Sequence, residues 1–142
     1  MKSARRQARE IALQALYAWQ LSGDNPLEQA RSLEGFDKTD ARFVENLLRG
    51  VLGRAEELRA VITPHLSREF VQLSPIERAI LYIATYELTA HPRTPFKVVL
   101  NEAVELGKSF GATDGYRFVN GVLEKIAQQL RPEEVAKARR IA

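Results

Sequence analysis

Apolar residues recur at three- and four-residue intervals along nearly the whole chain, and nowhere alternate strictly with polar ones between turn residues. A half-buried strand needs that alternation, so the pattern points to helices and little else. The good helix formers Leu, Ala, Glu, Arg and Gln dominate. A first helix is expected from about Ser3 to Leu21, burying Ala8, Ile11, Ala12, Ala15, Leu16 and Trp19. Ser22 to Pro26 ends it, and a short helix follows over 26–34. A long helix over about 40–62 presents Phe43, Leu47, Gly50/Val51, Arg54 and Leu58 in succession. Thr63-Pro64 stops it, because a residue before proline avoids helical angles.

His65 to Val71 reads as a short turn or helix. The next start is marked three times over, by Ser74 as N-cap, Pro75 at the first helical position and Glu77 closing a capping box. Ile76, Ala79, Ile80, Ile83, Ala84 and Leu88 give that helix a wide apolar face. His91-Pro92-Arg93 breaks it, and Thr94-Pro95 opens another helix to Phe110. Gly111 suits a left-handed C-terminal position, and Thr113 or Asp114 caps a last long helix to about Leu130. Arg131-Pro132 stops that helix and leaves a charged tail with the character of a frayed helix. Six or seven helices with short connections imply an all-α bundle.

The chain has 142 residues and no cysteine, which fits one domain with a real core and excludes disulfide, thiolate and iron–sulfur chemistry. No apolar run approaches the ~20 residues of a membrane span. The polar start MKSARRQARE lacks the apolar stretch of a signal peptide, so the expected location is the cytoplasm. Neither His65 nor His91 has a ligand or base at a recognisable spacing, and both read as surface residues. Glu102 and Glu105 could imitate a catalytic carboxylate pair, but Lys108 nearby gives an ordinary surface explanation. No phosphate-binding loop is present, and no enzyme, metal or cofactor is expected.

Charge is unevenly placed. Residues 1–10 carry +3 and residues 131–142 carry +2, while the 120 residues between carry −2. Lys2, Arg5, Arg6 and Arg9 follow helical spacing and form one stripe about a quarter-turn from the apolar face, which should leave it exposed. Cations in a first helical turn oppose the helix dipole at about 0.3–1 kcal/mol each. Accepting that cost suggests an anionic ligand, and guanidinium groups suit phosphates.

A second stretch stands out, from Phe110 to Gly121. Its glycines Gly111, Gly115 and Gly121 carry a helix-propensity cost that usually means close backbone approach or a tight cap. Tyr116, Arg117 and Phe118 are consecutive, so they cannot all face the core. An exposed aromatic beside an arginine is a common way to hold an unstacked base. Packing of Phe118 inside with Val122 is the equally weighted structural alternative.

These residues also carry a family resemblance. RRQAREIALQALYAWQLSG, LSPIERAILYIATYEL and PFKVVLNEAVELGKSFGATDGYRFVNGVLEKIA resemble the bacterial transcription antitermination factor NusB family, in order and over nearly the whole chain. NEAVELGKSFG followed by FVNGVL is the most specific part. The resemblance implies an all-helical NusB-like RNA-binding domain over 1–142, in two packed subdomains, with a basic tail at about 131–142. It implies binding of single-stranded boxA RNA in nascent ribosomal RNA transcripts, together with the ribosomal protein NusE. The pair joins the antitermination complex on RNA polymerase and promotes processive transcription of ribosomal RNA operons.

By the same resemblance the arginine-rich motif falls on Arg5, Arg6 and Arg9, with Lys2 beside it, and a second RNA surface on Asp114, Tyr116, Arg117 and Phe118. The NusE face falls on Glu77, with Tyr17, Tyr82 and Tyr86 as neighbours. Glu77 and Asp114 also serve as helix caps in the local reading, so two roles compete at each. Gly115 and Tyr116 depart from the family pattern, where Ser and His are frequent. A homodimer could hide the arginine stripe. Competing readings are a helix-turn-helix over 95–130, whose helix start is thin in base readers, and a pure protein adaptor. The related domain of some RNA cytosine methyltransferases precedes a catalytic cysteine, which is absent here.

Overall fold

The computed structural model describes residues 2–141, and among these there are eight α-helices and no strand. The helices are α1 (Ala4–Ser22), α2 (Pro26–Ser32), α3 (Ala41–Gly53), α4 (Ala55–Ile62), α5 (Pro75–Ala90), α6 (Phe96–Phe110), α7 (Gly115–Leu130) and α8 (Pro132–Ile141). Short 3-10 turns occupy Phe36–Lys38, Thr63–His65 and Phe70–Gln72. Side-chain caps start several helices as the sequence leads one to expect. The Ser3 hydroxyl accepts from Arg6 N–H, Asn25 from Leu27 N–H, and Asp40 from Phe43 N–H. Ser74 and Glu77 form the full reciprocal capping box, each bond 3.1 Å.

α5 is the axis of the molecule. Every residue from Ala79 to Leu88 is buried, because α1, α3, α4, α6 and α7 surround the helix. α1, α2 and α3 form one packed group and α4 to α8 the other, joined mainly where α1 and α3 pack on α5. This is the expected all-α bundle of two packed subdomains. Leu13, Leu16, Leu47, Leu48, Leu81 and Ile83 meet at the centre with essentially no exposure.

Four local expectations need correction. The long helix over 40–62 is broken at Arg54 (φ −127°, ψ 19°), just after the weak helix formers Gly50 and Gly53. Gly111 is extended (φ −90°, ψ −179°), not left-handed, since the chain leaves α6 straight and turns over Ala112–Gly115. The tail is an ordered helix, α8, seated by buried Val135 and by Glu134, which accepts from Phe96 N–H at 2.8 Å. The helix count rises to eight through these changes.

Candidate nucleic-acid interface

The first half of α1 lies across α3, α5 and α6, and its four cations meet different surroundings. Lys2, exposed, bonds Glu10 at 2.8 Å. The Arg6 guanidinium donates twice to Glu102, at 3.0 and 2.7 Å. Arg9 is buried at 3% exposure, correcting the expectation that the whole stripe faces solvent. It donates to both Glu87 carboxylate oxygens at 2.8 Å and to Glu102 at 3.1 Å. Glu102 is therefore no surface carboxylate; it is buried and joins α6 to α1. These partners raise both arginines' pKa further above an already high value: for Arg6 the Glu102 hydrogen bond leads, and for Arg9 the Glu87 and Glu102 contacts outweigh a large burial cost.

Arg5 differs. It is exposed, its guanidinium carbon lies 4.3 Å over the centre of the Phe43 ring, and no carboxylate among the described residues pairs with it.

The second candidate surface is better formed. α7 crosses α6 closely because Gly107 leaves room for Tyr116: a methyl at Gly107 would lie 2.8 Å from Tyr116 Cβ. That crossing sets Tyr116 at half-burial with Lys108 Nζ 5.3 Å and the Arg117 guanidinium 5.6 Å from its ring centre. Arg117 Nε donates to the Tyr116 hydroxyl at 3.2 Å. Phe118 is half-buried, and Arg68 lies 4.8 Å over its ring. Phe118 with Arg117, Lys125, His65 and Leu66 lines an open cleft of about 560 Å³. Asp114 is exposed, makes no capping bond, and lies 3.6 Å from Arg117. Its local role as an N-cap side chain is thereby removed.

The expected protein-binding residues do not form one face. Glu77 holds the capping box at the start of α5, 3.9 Å from Arg68, and so borders the α7 surface. Tyr17 is exposed on α1, three residues before Gln20, which bonds Pro75 O and Arg78. Tyr82 and Tyr86 are both 6% exposed core residues, which corrects their expected place as surface neighbours. Burial raises the Tyr82 pKa against the pull of Arg59 and Arg78. Tyr86 fills the space over Gly50, where any Cβ would overlap its ring. Nine residues along a helix, Glu77 and Tyr86 point to opposite sides of α5.

His91 is half-buried and not free at the surface: it meets Phe43 and Tyr86 by ring contacts and bonds Asn46 at 2.7 Å. Burial lowers its pKa, assisted by Arg5, Arg9 and Arg131 and opposed by Glu87. Sequence reasoning read Arg131 only as part of a helix stop. Its buried guanidinium donates to the carbonyls of Glu87, Leu88, His91 and Thr94 and so closes the end of α5. It also missed Arg68 and Lys108 as partners of Phe118 and Tyr116; a lysine eight residues before Tyr116 carries no spacing signal across a turn.

Half-buried aromatics flanked by cations on an all-helical bundle are the kind of surface that suits unstacked bases and a phosphate backbone. A model of the NusB family matches residues 6–128. The transcription antitermination protein NusB of Burkholderia vietnamiensis is 54% identical over 98% of this chain and 97% of its own length. That of Paraburkholderia phytofirmans is 51% identical over 99% of each. The chain belongs to the NusB family. Among solved structures, NusB of T. maritima superposes with a TM-score of 0.82 at 26% identity, covering 96% of this chain and 99% of that one. A crystal structure of the antitermination factors NusB and NusE in complex with dsRNA gives 0.80 at 28% identity, covering 91% and 99%.

Proposed function

We propose that this protein is a transcription antitermination factor that binds boxA RNA of nascent ribosomal transcripts together with NusE. Membership of the family over nearly the full length carries this reading, since its relatives bear that name. The RNA surface is assigned to Tyr116, Arg117 and Phe118, with Asp114 at its edge and Arg5 from α1. Phe118 offers a ring for a base, and Arg117 and Lys108 supply charge for the backbone. Lys2 and Arg6 can reach phosphate only by sharing or leaving Glu10 and Glu102, and Arg9 acts by holding α1 in place. Glu77 and Tyr17 are assigned to the NusE face.

The bound pair joins the antitermination complex on RNA polymerase and promotes transcription through ribosomal RNA operons, in the cytoplasm and without a catalytic step of its own. No helix among the described residues is long and apolar enough to cross a membrane.

Fluorescence anisotropy of a short boxA-type RNA tests the reading, with and without NusE. NusE should tighten binding, scrambling the RNA should weaken it, and duplex DNA should compete poorly. Equal binding to all three nucleic acids would sink the sequence-specific claim, and no binding with NusE present would leave a protein adaptor. Sizing with and without RNA decides whether a homodimer competes with RNA.

A further inference from the structure

On the side of α1 away from Glu102, a cleft of about 560 Å³ opens between the start of α3 and the α5–α6 turn. Arg5, Arg42 and Arg93 line it from three separate elements, with Phe43 and His91 beneath. Among the described residues none of the three guanidiniums has a carboxylate partner, whereas Lys2, Arg6 and Arg9 of the same stripe all do. Asp40 is the one acid in the lining, and its carboxylate is engaged by Phe43 N–H at 3.1 Å. The Arg5 guanidinium carbon lies 4.3 Å over the centre of the Phe43 ring, which limits the conformations that Arg5 must give up on binding. His91 is fixed below by Asn46.

Three unpaired, converging guanidiniums over a fixed floor suit a polyanion better than any neutral ligand, because planar forks match phosphate oxygens. The cleft is open, as a site for a continuing chain must be, and its floor ring Phe43 is buried at 5% exposure, unlike half-buried Phe118, so it reads backbone and not bases. We propose that this cleft binds the phosphodiester backbone of single-stranded RNA, extending the path from α7 past the start of α1. The proposal rests on the RNA-binding reading above and adds Arg42 and Arg93 to it.

The test compares two charge-matched double variants of the full chain in complex with NusE. One is Arg42→Gln with Arg93→Gln; the other is Lys137→Gln with Arg140→Gln on α8. All four side chains are exposed, so both variants should keep the wild-type circular dichroism and melting curve. Titrated with boxA-type RNA, the cleft variant should lose about ten-fold or more in affinity, the usual effect of losing contacts to a charged group. Its log–log salt slope should shrink by about 1.4, at about 0.7 per lost phosphate contact. The α8 variant should change affinity less than about three-fold, with its slope nearly unchanged. Equal losses in the two variants would reduce the effect to net charge and overturn the cleft assignment. So would wild-type affinity in the cleft variant, while leaving the RNA-binding reading intact. Failure of the wild-type complex to bind RNA would instead remove that reading, and the cleft assignment with it.

Discussion

Arg9 holds a full charge at 3% exposure, and it is tolerated there because two carboxylates from different helices meet its guanidinium. Removing one member of such a group strands the others: Glu87 would remain at 1% exposure without a counter-charge. Arg9→Met should therefore cost about 3–5 kcal/mol, read as a shift of the urea midpoint at constant slope. The double variant with Glu87→Met should cost much less than the two single changes together, because the buried charge leaves with its partner. Additive losses would mean the two side chains are uncoupled. Spacing puts Lys2, Arg5, Arg6 and Arg9 in one stripe; Arg5, Arg6 and Arg9 do lie on α1, whereas Lys2 precedes its N-cap Ser3. Which of them meets water depends on Glu87 and Glu102, some 80 to 90 residues away, and no local pattern carries that.

His91 belongs at this scale too. Its pKa is lowered, chiefly by burial and then by three neighbouring arginines, so the folded state prefers the neutral ring. The unfolded chain then binds the proton more readily. Stability from this group is complete above the ordinary value of 6.5 and falls as pH drops from 6.5 through the folded midpoint. An NMR titration should place the His91 midpoint below 6.5; a midpoint above it would contradict the burial argument.

At the scale of elements, the end of α5 is closed by a side chain from the junction of α7 and α8. Arg131 adds a second donor to the Glu87 and His91 carbonyls, which already accept from His91 N–H and Thr94 N–H, and is the donor to the Leu88 and Thr94 carbonyls; its charge suits the negative end of the helix dipole. Arg131→Leu would bury the Leu88 and Thr94 carbonyls unsatisfied and should cost about 3 kcal/mol or more, with hydrogen exchange rising first at Leu88–Thr94. Arg131→Lys should recover only part, since an ammonium cannot span four carbonyls on two sides. The sequence marked this arginine only as a helix stop. Helix starts were legible because caps act over three residues, as Ser3, Asp40 and the Ser74–Glu77 box do. The glycine signal was legible in kind but only partly in place. Gly111 is a close approach, where a Cβ would lie 2.8 Å from Gly107 O, but Gly121 is exposed with nothing near it, and the approaches at Gly50 and Gly107 have partners on other helices. α8 was undervalued for the same reason, because Glu134 and Val135 find their partners on α6 and elsewhere in the core.

At the scale of the whole molecule, the excess positive charge of the two chain ends does not act as one field. The α1 cations divide into a paired group facing α6 and a free Arg5, which shares a cleft with Arg42 and Arg93. Lys108 and Arg117 stand beside Tyr116 on the other surface. A stripe of Arg5, Arg6 and Arg9 acting alone would give about three phosphate contacts and a salt slope of about −2 for single-stranded RNA. Arg5, Arg42, Arg93 and Lys108, together with the exposed Arg117, whose only acid among the described residues is the equally exposed Asp114, instead give about five contacts and a slope of about −3.5. A measured slope near −3.5 that falls on neutralising Arg5 or Arg117, but not on Arg6→Gln, is the expected outcome. Arg6→Gln should lower stability slightly, because it unpairs part of Glu102 while Arg9 still holds the other oxygen. A slope near −2 that shrinks by about 0.7 on Arg6→Gln would restore the stripe as the RNA site and require Glu102 to release it on binding. Affinity and stability are thus carried by different members of one arginine motif, and the salt dependence separates them.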